Sequence, residues 1–406
     1  MSKGAATNRG TKVWLIPIAT LLLLQTSSAF LNRIIPIIFP ALAKEFAWDD
    51  SLIGYLTAAN NFGALVILLT GMSLMHRLGS IRTLQWSLLL GALSVGLFFL
   101  PLLTLALTTC LLIGISMGIA SPAGSDVLQR FSPPESRNLV FSIKQAGVPL
   151  GGVIAGLLIP FLVVLSGWRL ALACSGLIVA VSVWRTWRWR EQIDEPVEIR
   201  EAARRKHRGV AGVTRPLRAL LGQPGLLRMA VAGVLLSANQ SCWFAFMVTY
   251  LIVKLHYSLI LAGLGFAVMQ TSSVAGRIVL GWLADLTKAP RIILVTAAVI
   301  SALTTVLLAL ATPDWPVWTI MILSVAAGLS VSGWNGVQIA EIARRSRPGQ
   351  VADTAAGASV LLNCGNMAAP SLFSLVAGIV GRLDYPLWLT AAFSAAAAVL
   401  LARDRT

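Results

Sequence analysis

The stretch Gly-Arg-Ile-Val-Leu-Gly-Trp-Leu-Ala-Asp-Leu-Thr-Lys-Ala-Pro-Arg, residues 276–291, closes one apolar run and leads into the next. Gly276 and Arg277 lie inside the apolar run, whereas Asp285, Lys288 and Arg291 stand where it stops. An arginine within an apolar helix is costly and is by default a functional candidate. Gly281, Leu283, Ala284 and Asp285 form a Gly-x-Leu-Ala-Asp pattern. Its small residues let two helices approach closely, and its aspartate can cap the next element or pair with a nearby base. The same punctuation occurs earlier. A shift of 209 residues carries Gly54 to Gly263, His76 to Asp285, Arg82 to Arg291, Asp126 to Asn335 and Gln129 to Gln338. One offset kept from the second helix to the fourth argues for two similar halves.

Composition sets the solvent. The 406 residues are 57% hydrophobic and 12% charged, against roughly 25% charged in a soluble domain, so the chain belongs in a membrane. The net charge of +16 does not indicate nucleic acid, because most basic residues fall in short gaps on alternate sides of the apolar runs, the positive-inside pattern. Cys110, Cys174, Cys242 and Cys364 all lie within apolar runs, as small hydrophobes rather than a disulfide framework or metal site. The first apolar run is too long for a cleavable signal, and no small-residue cleavage site follows it.

The apolar pattern predicts an all-α membrane protein of twelve transmembrane helices, over 13–40, 51–75, 83–102, 104–130, 138–166, 168–187, 226–254, 259–284, 290–311, 316–341, 354–381 and 385–402. Each is about 20 residues or longer, as a bilayer requires, and no period-two pattern suggests a barrel. Only Lys44, Arg169, Lys254 and Arg382 fall on the side opposite the N-terminus, while Arg33, Lys144 and Arg277 lie within helices. Both termini are therefore expected on the cytoplasmic side, in a bacterial inner (plasma) membrane. The longest polar segment separates two six-helix halves, 1–187 and 226–406. This linker, 188–225, reads as a solvated connection, with an amphipathic helix on anionic headgroups as one form it could take.

Six helices, a basic loop and six helices with an internal repeat resemble the major facilitator superfamily (MFS), over nearly the whole chain. Gly281 to Asp285 is similar to that superfamily's loop signature. The first-half copy is degenerate, with Gly71 one residue early and His76 at the aspartate position, so the latch this loop forms in relatives is weakened there. In helix 4, Cys110 stands where relatives implicated in proton coupling carry an arginine. Gly147, Pro149, Gly151 and Gly152 resemble a loosened form of the superfamily's helix 5 motif, which is associated with exporters. Phe30-Leu31-Asn32-Arg33, followed by Pro40, is similar to the first helix of organic-anion and organophosphate transporters, where the arginine binds the anion. Arg277 with Gly281 resembles helix 8 of monocarboxylate-type transporters, where an arginine contacts the substrate carboxylate.

The residues alone leave alternatives open. Arg33 lies about twenty residues into helix 1 and either binds substrate or snorkels to headgroups. Arg277, roughly 12 Å deep, either contacts substrate or forms a structural ion pair. Lys144 and Asp126 lie at comparable depth, so they could pair, as a gate or as static packing. In-helix amides must face a partner or a cavity. Gln270, Trp334, Asn60 and Asn239 are the expected lining residues beside the two arginines. Asp285 and Arg291 join Asp126 and Lys144 as coupling or gating candidates.

The resemblance implies a secondary active transporter working by alternating access. The two cations point to a small organic anion, with proton-coupled uptake as the favoured mode and export of drugs or lipophilic metabolites as the rival. His76, His207 and His256 lie in loops and form no catalytic constellation, and no Walker loop is present, so neither an enzyme nor ATP drive is expected. No cofactor or metal is expected. The expected partners are the anion, a proton and membrane lipid, on a monomer.

Overall fold

A computed structural model describes residues 15–132, 137–194, 217–218, 220–347 and 350–403. These residues form α-helices joined by short turns. The first half contains α1 (Leu15–Phe46), α2 (Leu52–Leu78), α3 (Ser80–Ser94, continued as a 3-10 turn over Val95–Phe99) and α4 (Leu103–Phe131). A helical stretch over Arg137–Thr186 then breaks at Gly167, where φ 78 and ψ 163 are open to glycine and strained for other residues. That break divides it into α5 (137–166) and α6 (168–186). The second half contains α7 (Pro224–Val253), α8 (Leu259–Thr287) and α9 (Pro290–Leu310). It continues with α10, split into α10a (Val317–Val331) and α10b (Asn335–Arg345), then α11 (Val351–Val380) and α12 (Tyr385–Ala402).

Eleven stretches among the described residues are long and apolar enough to cross a membrane, and Gly167 folds one of them in two. This agrees with the twelve expected helices in two six-helix halves. Large apolar side chains such as Trp184, Ile278 and Ile379 lie fully outward on the bundle, an arrangement suited to lipid rather than water. Several boundaries differ from expectation, two of them for a clear local reason. Helix α1 continues to Phe46 through Pro36 and Pro40, since neighbouring helices hold the segment where prolines would otherwise end it. The turn between α2 and α3 shrinks to Gly79, whose φ of 103 reverses the chain in one residue.

The region expected to be wholly linker begins as structure. Trp187–Trp189 and Arg190–Ile193 continue α6 as short helical turns. Ile193 is buried, and Asp194 accepts hydrogen bonds from the backbone N–H groups of Ile81 (2.8 Å) and Arg82 (3.2 Å) at the start of α3. A carboxylate at a helix N-terminus satisfies otherwise orphaned donors. The amphipathic helix considered for the linker falls on residues outside those described.

The helix connections define two ends of the bundle. One carries the linker, and we call it the linker end. At the other, the halves are zipped together by small residues. Gly54 on α2 lies against Pro370 and Ser374 on α11, and the Ser374 hydroxyl donates to the Ser51 carbonyl. Gly156 on α5 faces Gly263 and Ala267 on α8. At the same end Arg382 and Lys254 hold Asp384. Burial alone would raise that carboxyl, but their charges and hydrogen bonds keep it below the usual carboxylate range.

A candidate anion site between the two halves

A cavity of about 340 Å³ lies between the halves, on the linker side of the glycine seam. Its wall nearest the linker end includes Ser121 on α4 and Ser359 on α11, both exposed, so the cavity opens towards that end. Each half contributes one guanidinium, Arg33 from α1 and Arg277 from α8. Neither has a carboxylate partner among the described residues, and no Asp or Glu is among the described residues lining the cavity. The Arg277 Nε is buried with no hydrogen-bond partner.

Arg33 is held across the interface. Its guanidinium carbon lies 3.9 Å from the centroid of the Phe244 ring on α7. Phe244 in turn meets the fully buried Phe266 edge-on, with centroids 6.3 Å apart. A ring face occupies the flat side of a guanidinium and leaves its in-plane N–H donors available.

The rest of the wall is rich in carboxamides. Asn32 donates to Asn60 (2.7 Å), Asn61 to the Asn366 carbonyl (2.7 Å), and Asn335 to Gln240 (3.3 Å). These bonds fix the amides while leaving part of their hydrogen-bonding capacity for a ligand. Asn363 completes the set from α11.

Of the six expected binding residues, the structure brings Arg33, Arg277 and Asn60 together on this wall. The other three lie elsewhere. Asn239 is fully buried and donates to Ser301, Thr305 and Ser394, which ties α7 to α9 and α12. Its neighbour Gln240 lines the cavity instead, because successive helical residues diverge by about 100°. Trp334 packs in the break between α10a and α10b and donates to the Val331 carbonyl at 2.8 Å, while the adjacent Asn335 faces the cavity. Gln270 sits roughly 10 Å from the level of Arg277, being seven residues away along α8. It packs against Gly152 in the α5–α8 seam.

The considered Lys144–Asp126 pair does not form. Asp126 accepts from Ser80 (2.5 Å) and Arg130 (2.8 Å). Arg130 is one turn away on the same helix face and so reaches the carboxylate first. Lys144 is buried with its stem against Gly124, and its ammonium is 3.4 Å from the Gln145 amide oxygen. Asp285 is exposed at the linker end, and Arg291 donates to the Ala402 carbonyl there at 3.3 Å. Both are away from the cavity wall. Phe244 escaped the sequence reading, since a phenylalanine in an apolar run carries no polar signal. Its spacing of four residues from Gln240 was the available clue.

Residues 21–358 match the family model described as Major Facilitator Superfamily. Among curated proteins, the Hexuronate transporter of Bacillus subtilis (strain 168) is 24% identical over 224 residues, 53% of this chain and 52% of that protein. Probable anion transporter 3, chloroplastic, of Arabidopsis thaliana is 28% identical over 171 residues, 40% of this chain and 33% of that one. The chain thus spans about half, or less, of the length of these relatives. Among solved structures, a bacterial homolog to the human lysosomal transporter Spinster, inward-facing and occupied, superimposes with a TM-score of 0.73 at 15% identity, covering 95% of this chain and 96% of that one. The nucleoside transporter NupG gives 0.73 at 12% identity, covering 97% and 99%. At such identity the likeness concerns the fold. With a matching model over most of its length and a twelve-helix, two-halved bundle around a central cavity, the chain is a multi-pass membrane protein of the Major Facilitator Superfamily of transporters.

Proposed function

We propose that this protein carries a small organic anion, bearing a carboxylate, by alternating access across a bacterial inner membrane. The observation that carries this reading is the pair Arg33 and Arg277, supplied by opposite halves to one cavity without an acid to neutralise either. An uncompensated buried cation is costly, and an arginine grips a carboxylate through charge-assisted, often bidentate hydrogen bonds. Asn60 and the other wall amides suit the remaining polar groups of such a substrate. The names of the hexuronate and anion transporters to which the chain is similar support the same substrate class.

The basic linker end is the cytoplasmic side in this reading, by the positive-inside rule, so both termini are cytoplasmic and the cavity is open inward. The halves 1–187 and 226–406 rock about the site, with 188–225 as their tether. Asp285 and Arg291 act as packing elements of the inner face. The proton is the coupling ion expected from the sequence. With no carboxylate among the described wall residues, a coupling proton would ride on an acid away from the substrate, such as Asp126 or the buried Glu341, which Arg344 and Arg345 hold at 2.6 and 2.5 Å. Export of lipophilic compounds is the rival reading, and the amide-lined, doubly cationic wall weighs against it.

The test is uptake of labelled organic acids into proteoliposomes, with and without a pH gradient. Anion uptake that is lost in Arg33→Ala and Arg277→Ala supports the proposal. Unchanged uptake by both variants would sink it.

A further inference from the structure

We infer that the site takes an elongated dianion: a short polyhydroxylated chain with a carboxylate at each end. This rests on the anion reading above and goes further, fixing the number of charges and their placement.

The number follows from the balance of the wall. Two guanidiniums face the cavity, and no acid among its described residues offsets them. Lys144, also positive, is buried one turn to the linker side of the cavity-lining Val148. When the halves close over a ligand, any unbalanced charge is sealed in a medium of low dielectric, where it is most costly. A monoanion leaves one guanidinium unmatched, whereas a dianion matches both.

The placement follows from the hydrogen-bonded levels of the helices. The Ser332 hydroxyl accepts from Gln240 on α7 at 2.9 Å and from Ser273 on α8 at 2.8 Å, so these residues lie at one depth. Phe244, which stacks on Arg33, is four residues beyond Gln240 towards the sealed end. Arg277 is four residues beyond Ser273 towards the linker end, because α8 runs the opposite way. The ring that holds the Arg33 guanidinium and the residue Arg277 are therefore carried by backbone at levels roughly 12 Å apart along the bundle axis. The carboxamides Gln240 and Asn335 occupy the level between, while Asn60, bonded to Asn32, stands beside Arg33. Two cations at two depths with amides between them match two acid groups joined by hydroxyl-bearing carbons. A phosphate, with both charges at one end, matches them less well.

The experiment compares ligands of matched size on the purified full-length chain at pH 7.4, by calorimetry or thermal shift. The probes are glucarate (an acid at each end), glucuronate (one acid), glucose 6-phosphate (two charges at one end) and sorbitol (none). Glucarate should bind about tenfold tighter than glucuronate or glucose 6-phosphate, the increment of one further charge-assisted contact. In Arg33→Gln or Arg277→Gln the ratio of glucarate to glucuronate affinity should fall towards one; being a ratio within one variant, it does not depend on equal folding. Glucuronate binding as well as glucarate in the wild type overturns the inference and leaves the anion reading standing. Equal binding of glucose 6-phosphate overturns the two-ended arrangement. If no anion binds better than sorbitol, the anion reading fails, and the inference with it.

Discussion

The glycine seam and the cavity share helices α2, α5, α8 and α11, yet they solve opposite problems. In the seam, Gly54, Gly156 and Gly263 remove side chains so that backbone meets backbone across the halves. From about two to four turns nearer the linker end, α2 and α8 carry Asn60, Asn61 and Arg277, α1 and α7 add Arg33 and Gln240, and the helices stand apart around a polar space. Without a hydrophobic driving force between helices in lipid, close packing of small residues is what holds such a seam. The seam supplies contact energy and the cavity supplies chemistry, so substitutions in the two regions should fail in different ways.

The largest effect on conformation is expected in the seam. A Cβ on Gly54 would run into the Pro370 carbonyl and the Ser374 side chain, with the Phe246 ring only 2.8 Å away. Backbone cannot yield as a side chain can, so Gly54→Leu must part α2 from α11. Overpacking of this kind costs about 1–3 kcal/mol or more, enough to shift the balance between conformations by up to roughly a hundredfold. A cysteine placed at Thr57, in a background without the native cysteines, should become reactive to an impermeant thiol reagent applied at the end opposite the linker. Unchanged reactivity, with normal transport, would show that the seam is not the barrier.

In the cavity, Arg33→Ala and Arg277→Ala should each weaken anion binding by roughly 30- to 4,000-fold, since truncating one partner of a buried charge pair costs about 2–5 kcal/mol. The ligand-free protein should behave in the reverse sense. Each guanidinium lacks a carboxylate among the described residues, so its removal relieves an uncompensated buried charge, and the melting temperature without ligand should hold or rise. A drop in that temperature together with intact binding would assign these arginines to structure instead.

The contrast also explains how much could be read from the sequence. The twelve helices, the two halves and the buried arginines were legible, because bilayer thickness and the cost of intramembrane charge leave strong local signals. Arg33 and Arg277 stood out individually. The partition of amides between wall and core was not legible, because it depends on helix rotation to within one residue. Asn239 and Gln240 are adjacent and chemically alike, yet one ties three helices together and the other faces the cavity. Likewise Asp126 and Lys144 were expected at comparable depth, yet Asp126 is taken up by Ser80 and Arg130. The Asp194 contact joins segments 113 residues apart, and nothing local to either segment announces it.

Asn239 and Gln240 therefore give a test of middle size. Asn239→Leu leaves hydroxyls of Ser301, Thr305 and Ser394 without their amide donor, and should lower stability by about 1–3 kcal/mol with substrate KM unchanged. Gln240→Leu should do the reverse, raising KM with a smaller loss of stability. Thermal denaturation and transport kinetics on the same two preparations decide it, and matching phenotypes would contradict the rotation assigned to α7.

The smallest expected effect belongs to a contact between the two halves on the cavity wall. Phe244 of the second half holds Arg33 of the first by its ring face, and Phe266 braces it from behind. Desolvated cation–π contacts contribute about 0.5–2 kcal/mol, so Phe244→Leu should weaken anion binding by only some two- to thirtyfold, through a less well-oriented guanidinium. Leucine keeps most of the volume and loses the π face; Phe244→Tyr keeps the face and should bind as the wild type does. The loss should also depend on conformation if transport proceeds by the proposed rocking of the halves, which would shift α7 relative to α1 and part the ring from the arginine. Affinity measured from the linker end, where this stack is in place, should therefore suffer more in Phe244→Leu than affinity measured from the other side. An equal loss from both sides would mean that the ring fills space and does not aim the charge.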